Sequence, residues 1–274
     1  MSPAPQPVGV LVSSAFDAYR ARWRPLTAIG LLAAAPVALL EAGISLATDR
    51  DPFAEPPSPT DPQAVVIEPS TLIPALLSLV LFSVASAACV HLIAEAREDR
   101  DVSWGAALGF GLSRAPGVLA ASLIVLVVVL LGLLALVVPG IWLAVALALT
   151  TPALVLERLG PVEGMRRSFA LVRGEWWRTA AVVGLGIVLA VGLVLVVVVP
   201  ATALALATDD LGVRVLISAI ADTIGSAVLL PFVVSMLTLL YLDREPASRS
   251  AAQPALPGEE GASFGGFAPP TAPR

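Results

Sequence analysis

Two carboxylates stand where a carboxylate is costly. Glu41 is the sole charge in the apolar run 25–48, and Asp222 is the sole charge in 215–242. An ionised carboxylate near the middle of a membrane costs at least about 2.5 kcal/mol, so such a group is protonated, hydrogen-bonded, or part of a polar path. Glu41 comes seven residues before Thr48, and Asp222 eight residues after Arg214. At the helical rise both lie roughly 10–12 Å from the same ends of their runs. Two readings stand. Both acids line a cavity that binds or moves a proton or solute, or each is protonated or bonded to Ser and Thr neighbours and fixes helix packing. Arg50 and Arg214 reach them only by snorkelling from the ends. Around Asp222 the small residues Ser218, Ala219, Ala221, Gly225, Ser226 and Ala227 favour close helix approach and turn the acid inward.

Other groups with chemical potential are few. His91 is the only histidine and Cys89 the only cysteine. Neither a metal site nor an internal disulfide can be assembled from them, and no serine has a base placed beside it. The expectation is a protein without catalytic residues, metal or cofactor. His91 then reads as an imidazole near the end of a span, hydrogen-bonded to backbone or water, and Cys89 as a small packing residue.

The elements that carry these groups follow from composition. Hydrophobic residues make up 57% of the 274 and charged ones only 14%, against about 25% charged in soluble domains, so lipid is the main solvent. Disordered, disulfide-rich secreted and nucleic-acid-binding classes are excluded. All 16 cations are Arg, which with the abundance of Ala, Gly and Pro suggests a GC-rich bacterial genome. About 20 apolar residues cross the hydrocarbon. The charge-free stretch 115–156 is twice that length, and Pro139-Gly140 at its middle predicts a tight hairpin. Six spans result, at about 25–48, 69–94, 116–138, 140–157, 179–208 and 215–242. Together they make a membrane domain over 8–242, with residues 1–7 disordered and 243–274 a disordered cytoplasmic tail. Pro200 and Pro231 are either helix breaks at a site or ordinary kinks.

Arginine placement orients the spans. With both termini in the cytoplasm of a bacterial cell, only Arg50 and Arg214 lie outside, and the other fourteen lie inside. The loop 49–68 is then an acidic, Pro-rich outer loop. Ser45-Leu46-Ala47 resembles a signal-peptide cleavage site, but the preceding run is too long for a signal sequence and contains Glu41.

Short amphipathic stretches precede each pair of spans. Val12, Phe16, Tyr19 and Trp23 recur at helical spacing in the first. Val162, Met165, Phe169, Val172 and Trp176 do so in the third, and Trp104 to Arg114 gives a weaker second. Phe16/Arg20, Phe110/Arg114 and Phe169/Arg173 share one Phe-x-x-x-Arg spacing. The fold class expected is therefore all-α and polytopic, with six transmembrane helices arranged as three repeats of interfacial amphipathic helix plus transmembrane hairpin. Arg166, Arg167, Arg173 and Arg178 form the densest cationic cluster, with Trp176 and Trp177 at interfacial depth and Glu157 placed to orient guanidiniums. Such clusters attract anionic lipid at about 1 kcal/mol per basic residue, or serve only to set topology.

The run Pro139-Gly140-Ile141-Trp142, then Glu157, then Arg166-Arg167-Ser168-Phe169-Ala170-Leu171-Val172-Arg173-Gly174-Glu175-Trp176-Trp177-Arg178 resembles the membrane domain attached to some bacterial glycerophosphoryl diester phosphodiesterases and its stand-alone relatives. The resemblance implies a six-helix membrane domain. It implies no activity, because the soluble phosphodiesterase barrel has no counterpart here. The leading expectation is a non-enzymatic protein that binds lipid headgroups, or a membrane or cytoplasmic protein, through its interfacial helices. The alternative is a small secondary transporter or flippase using Glu41 and Asp222.

Overall fold

Uncharged runs with no water to satisfy their backbone must form helices, because only a helix pairs every N–H and C=O within one segment. The computed structural model describes residues 8–54, 68–98 and 100–252, and among them there is no strand. The helices are α1 (Val8–Ala21), α2 (Trp23–Ala47), α3 (Pro69–Arg97), α4 (Trp104–Ala135), α5 (Val137–Ala146), α6 (Thr150–Leu156), α7 (Pro161–Arg173), α8 (Trp176–Ala205) and α9 (Leu211–Ala252). Six stretches are long and apolar enough to cross a membrane: α2, α3, α4, α5 with α6 as one interrupted crossing, α8 and α9.

The core gathers where α2, α3 and α9 meet. α9 packs along α2, and α3 along α4. The α2–α9 approach depends on Gly30, where an added Cβ would stand 2.5 Å from the carbonyl oxygen of Ala227. Gly111 does the same for α4 against Val84 of α3. α4 and α8 lie at the outside and expose long rows of Val and Leu, as helices bathed in lipid do.

Three expectations change. The turn of the second hairpin is at Leu136, whose extended backbone is the only residue between α4 and α5. Pro139 and Gly140 instead lie in the first turns of α5. A proline there loses no hydrogen bond, since first-turn N–H groups have no intrahelical partner. Gly140 permits contact with Leu133, which a Cβ would approach to 2.5 Å. The helix break lies elsewhere, between α5 and α6. Pro152 cannot donate to the carbonyl of Ala148 and its ring crowds that carbonyl, so the helix stops at Ala146 and restarts at Thr150. Pro200 and Pro231, by contrast, lie within continuous α8 and α9. Finally, α9 runs past Leu242 to Ala252, so the expected tail boundary at 243 is not a structural one. Ion pairs of Asp243 and Arg244 hold the extra turn in place. The expected disordered segments 1–7 and 253–274, and residues 55–67 of the acidic loop, lie outside the described residues.

Short separate helices precede the first and third hairpins, α1 and α7. The second amphipathic stretch is continuous with its span in α4, capped by the Ser103 hydroxyl on the Ala106 N–H.

Candidate functional site

The polar residues of the bundle fall into two groups separated along α9. Asp222 and Tyr241 mark them, nineteen residues and roughly 28 Å apart at the helical rise.

The first group surrounds a cavity of about 430 Å³ between the ends of α2, α3 and α9. Glu41 from α2 and Asp222 from α9 both line it, with Ser45, Arg50, Asp51 and Ser218. Asp222 accepts a hydrogen bond from the Ser218 hydroxyl at 3.1 Å. Arg214 does not reach toward Asp222: it pairs with Asp51, and its Nε donates to the Thr208 carbonyl at 2.9 Å. That pair ties the start of α9 to the segment after α2, and its Asp51 also lines the cavity. Among the described residues neither Glu41 nor Asp222 has an arginine within ion-pair distance. Of the small residues on α9, Ala227 meets α2 at Gly30, whereas Gly225 faces open space. Asp222 is exposed rather than turned into the packing, and it lines the same space as the exposed Glu41.

The second group is the arginine-rich end, and here the expected cluster divides. Arg167 donates to Glu157 at 2.7 Å, and the Tyr241 hydroxyl donates to the same carboxylate. Burial works against the Arg167 charge, but the hydrogen bond and charge of Glu157 outweigh it and its pKa is raised. Arg178 bridges Glu175 at 3.1 Å and Asp243 at 2.7 Å. Both guanidiniums are thus held inside the bundle. Arg166 and Arg173 are exposed.

Sequence reasoning missed the residues that close this end. Ser168 is fully buried; its hydroxyl donates to the Ala146 carbonyl at 2.8 Å and accepts from the Leu149 N–H at 3.1 Å. It therefore caps both sides of the break between α5 and α6. Arg244 is 5% exposed and donates to the carbonyls of Leu171 at 3.0 Å and Glu175 at 3.1 Å. The Leu171 carbonyl lies in the last turn of α7, where intrahelical partners run out. The Glu175 carbonyl is at the start of α8, where it also accepts from the Arg178 and Thr179 N–H groups. Ser168 carried a signal, a lone hydroxyl between arginines and apolar residues. Tyr241, Asp243 and Arg244 read only as the end of the last span.

The stripe expected on α7 divides: Val162 and Phe169 are exposed, and Val172 is buried. Gly164, Ser168, Leu171 and Val172 face the bundle, with Gly164 beside Thr150 and Leu154. Val162, at 53% exposed, and Phe169, at 36%, face outward. Phe169 meets the Trp142 ring edge-on at 5.5 Å, and Trp176 and Trp177 meet at 4.8 Å. Trp177 is 81% exposed.

His91 stacks on Phe110 at 4.1 Å, with Nδ1 3.8 Å from the Glu95 carboxylate. Cys89 is buried in the apolar core. Among the described residues no three of His, Cys, Asp and Glu gather as a metal site would require.

An all-helical chain with six crossings of this length and composition is a multi-pass membrane protein. Residues 69–243 match the family described as Domain of unknown function (DUF7847), and the chain belongs to that family. The match begins at α3, so Asp222 lies within it and Glu41 before it. No curated protein and no solved structure matches the chain.

Proposed function

We propose that this is a non-enzymatic protein of the bacterial cytoplasmic membrane, with both termini cytoplasmic, that takes a small cationic solute into the cavity between Glu41 and Asp222, as a secondary transporter does. One observation carries the reading: two carboxylates from helices far apart in sequence converge on one cavity, and among the described residues no arginine is paired to either. Its volume of about 430 Å³ lies in the range of small-molecule sites. Both carboxylates are exposed to that space, where two like charges on facing helices attract a cation more strongly than either does alone. Arg50 on the same wall supplies a counter-charge for a ligand that also carries an anionic group. The resemblance of 139–178 to a phosphodiesterase membrane domain belongs to this proposal.

The test is binding of ethidium and tetraphenylphosphonium to the full chain in nanodiscs across a pH series. Saturable binding is expected, weaker as pH falls and the carboxylates protonate, and reduced tenfold or more in Glu41→Gln/Asp222→Asn. Equal binding by wild type and double variant sinks the reading. So does a wild type that binds neither probe.

Lipid-headgroup binding, the second reading, is favoured by the exposure of Arg166 and Arg173. It does not exclude the first, because the two occupy opposite ends of the bundle.

A further inference from the structure

α7 leaves one stripe uncovered. Val162, Arg166, Phe169 and Arg173 follow each other at spacings of four, three and four, which places them on one face of a helix. Trp177, four residues further, opens α8 beside it. All five are exposed. The stripe alternates apolar and cationic side chains, and the two guanidiniums stand two turns apart, roughly 10 Å along the axis. Arg167 points away to Glu157, and Arg178 is held by Glu175 and Asp243. The opposite face of α7 is committed to the bundle through Gly164, Ser168 and Leu171.

A surface of this pattern is unfavourable against water and against hydrocarbon alike. Trp177 and Phe169 expose large rings, while Arg166 and Arg173 require anions. It fits the boundary between acyl chains and phosphates, where aromatic rings sit and guanidinium groups bind phosphate oxygens bidentately.

We propose that this stripe is a binding face for anionic phospholipid headgroups, with Arg166 and Arg173 as phosphate ligands and Phe169 and Trp177 as anchors at the acyl boundary. Arg167 and Arg178 take no part. The proposal differs from a general attraction of basic residues to membranes, because it separates four neighbouring arginines into two that bind lipid and two that hold the fold.

The experiment uses the full chain in nanodiscs and reads quenching of tryptophan fluorescence by brominated phosphatidylglycerol against brominated phosphatidylcholine. Wild type is expected to prefer the anionic lipid, each arginine contributing about fivefold. Arg166→Gln/Arg173→Gln should bring the preference close to parity without lowering the melting temperature. Arg167→Gln should lower the melting temperature and keep the preference, and Trp177→Phe should remove most of the lipid-dependent quenching. Three results overturn the proposal: an unchanged preference in the Arg166/Arg173 double variant, an equal loss in Arg167→Gln, or abolition of the preference by millimolar inorganic phosphate, which would mark a free-anion site. Glu41→Gln/Asp222→Asn should leave the lipid preference intact, so this result and that of the cavity test are read separately.

Discussion

The two ends of the bundle handle charge in opposite ways. At the arginine-rich end, carboxylates and backbone carbonyls absorb the guanidiniums: Glu157 takes Arg167, Glu175 and Asp243 take Arg178, and the ends of α7 take Arg244. At the other end, Arg214 is matched to Asp51, while Glu41 and Asp222 are left facing a cavity. A charge with several partners in a fixed geometry stabilises structure; a charge facing space is available to a ligand. A dense cluster in sequence therefore does not say which of its charges stay available: Arg167 and Arg178 are paired, and Arg166 and Arg173 are exposed.

The comparison is broken most directly by removing the most buried member of the lock. Arg244→Met takes from the Leu171 carbonyl its side-chain donor and removes one of several partners of Glu175, which keeps Arg178. It should destabilise the protein by about 3 kcal/mol, read as a fall in thermal midpoint of the full chain in detergent. An unchanged midpoint would mean that the lock does not hold the fold.

Gly30→Val should come next, at about 2–3 kcal/mol. The new side chain meets the Ala227 backbone, which cannot yield as a side-chain tip can. Forcing α2 from α9 also separates Glu41 from Asp222, so cation binding should fall together with stability. Retained binding in this variant would detach the cavity from the α2–α9 contact.

Ser168→Ala removes the hydroxyl that serves both Ala146 and Leu149, with an expected loss of about 1–2 kcal/mol. Hydrogen exchange at Leu149 should quicken in that variant more than at residues in α3. Arg166→Gln sits at the bottom of the scale, within about 0.5 kcal/mol of wild type, as expected for an exposed side chain away from structural contacts. A larger loss there would show that Arg166 belongs to the lock.

Much of the architecture was legible in the residues themselves. The six runs appear as membrane-length helices because apolar length and missing charge are local properties. The hairpin turns at Leu136, three residues before Pro139-Gly140, because proline suits a helix start as well as a turn. The interruption at Ala146–Thr150 had its signal in Pro152, within a run whose lack of charge drew attention first. On α7 the large residues Val162 and Phe169 of the expected stripe are exposed, while Val172 joins Gly164 and Ser168 on the face that packs against the bundle, where small side chains allow close contact with α6. Of the expected site residues, Glu41 and Asp222 stand out by type alone, and the structure carries both to one cavity. Glu157 was expected near guanidiniums, and the structure pairs it with Arg167 and Tyr241.

What the sequence determined alone is the solvent and the number of crossings, since the transfer free energy of each run is close to a sum over its own residues. Tertiary structure decided which charges remain available. Arg178 meets Asp243 across 65 residues of chain, and Arg244 meets Leu171 across 73. Glu41 and Asp222 reach one cavity only because Gly30 lets α9 lie against α2. Ion pairing and cavity formation depend on distances of a few ångströms between helices remote in sequence, and no local pattern carries that information.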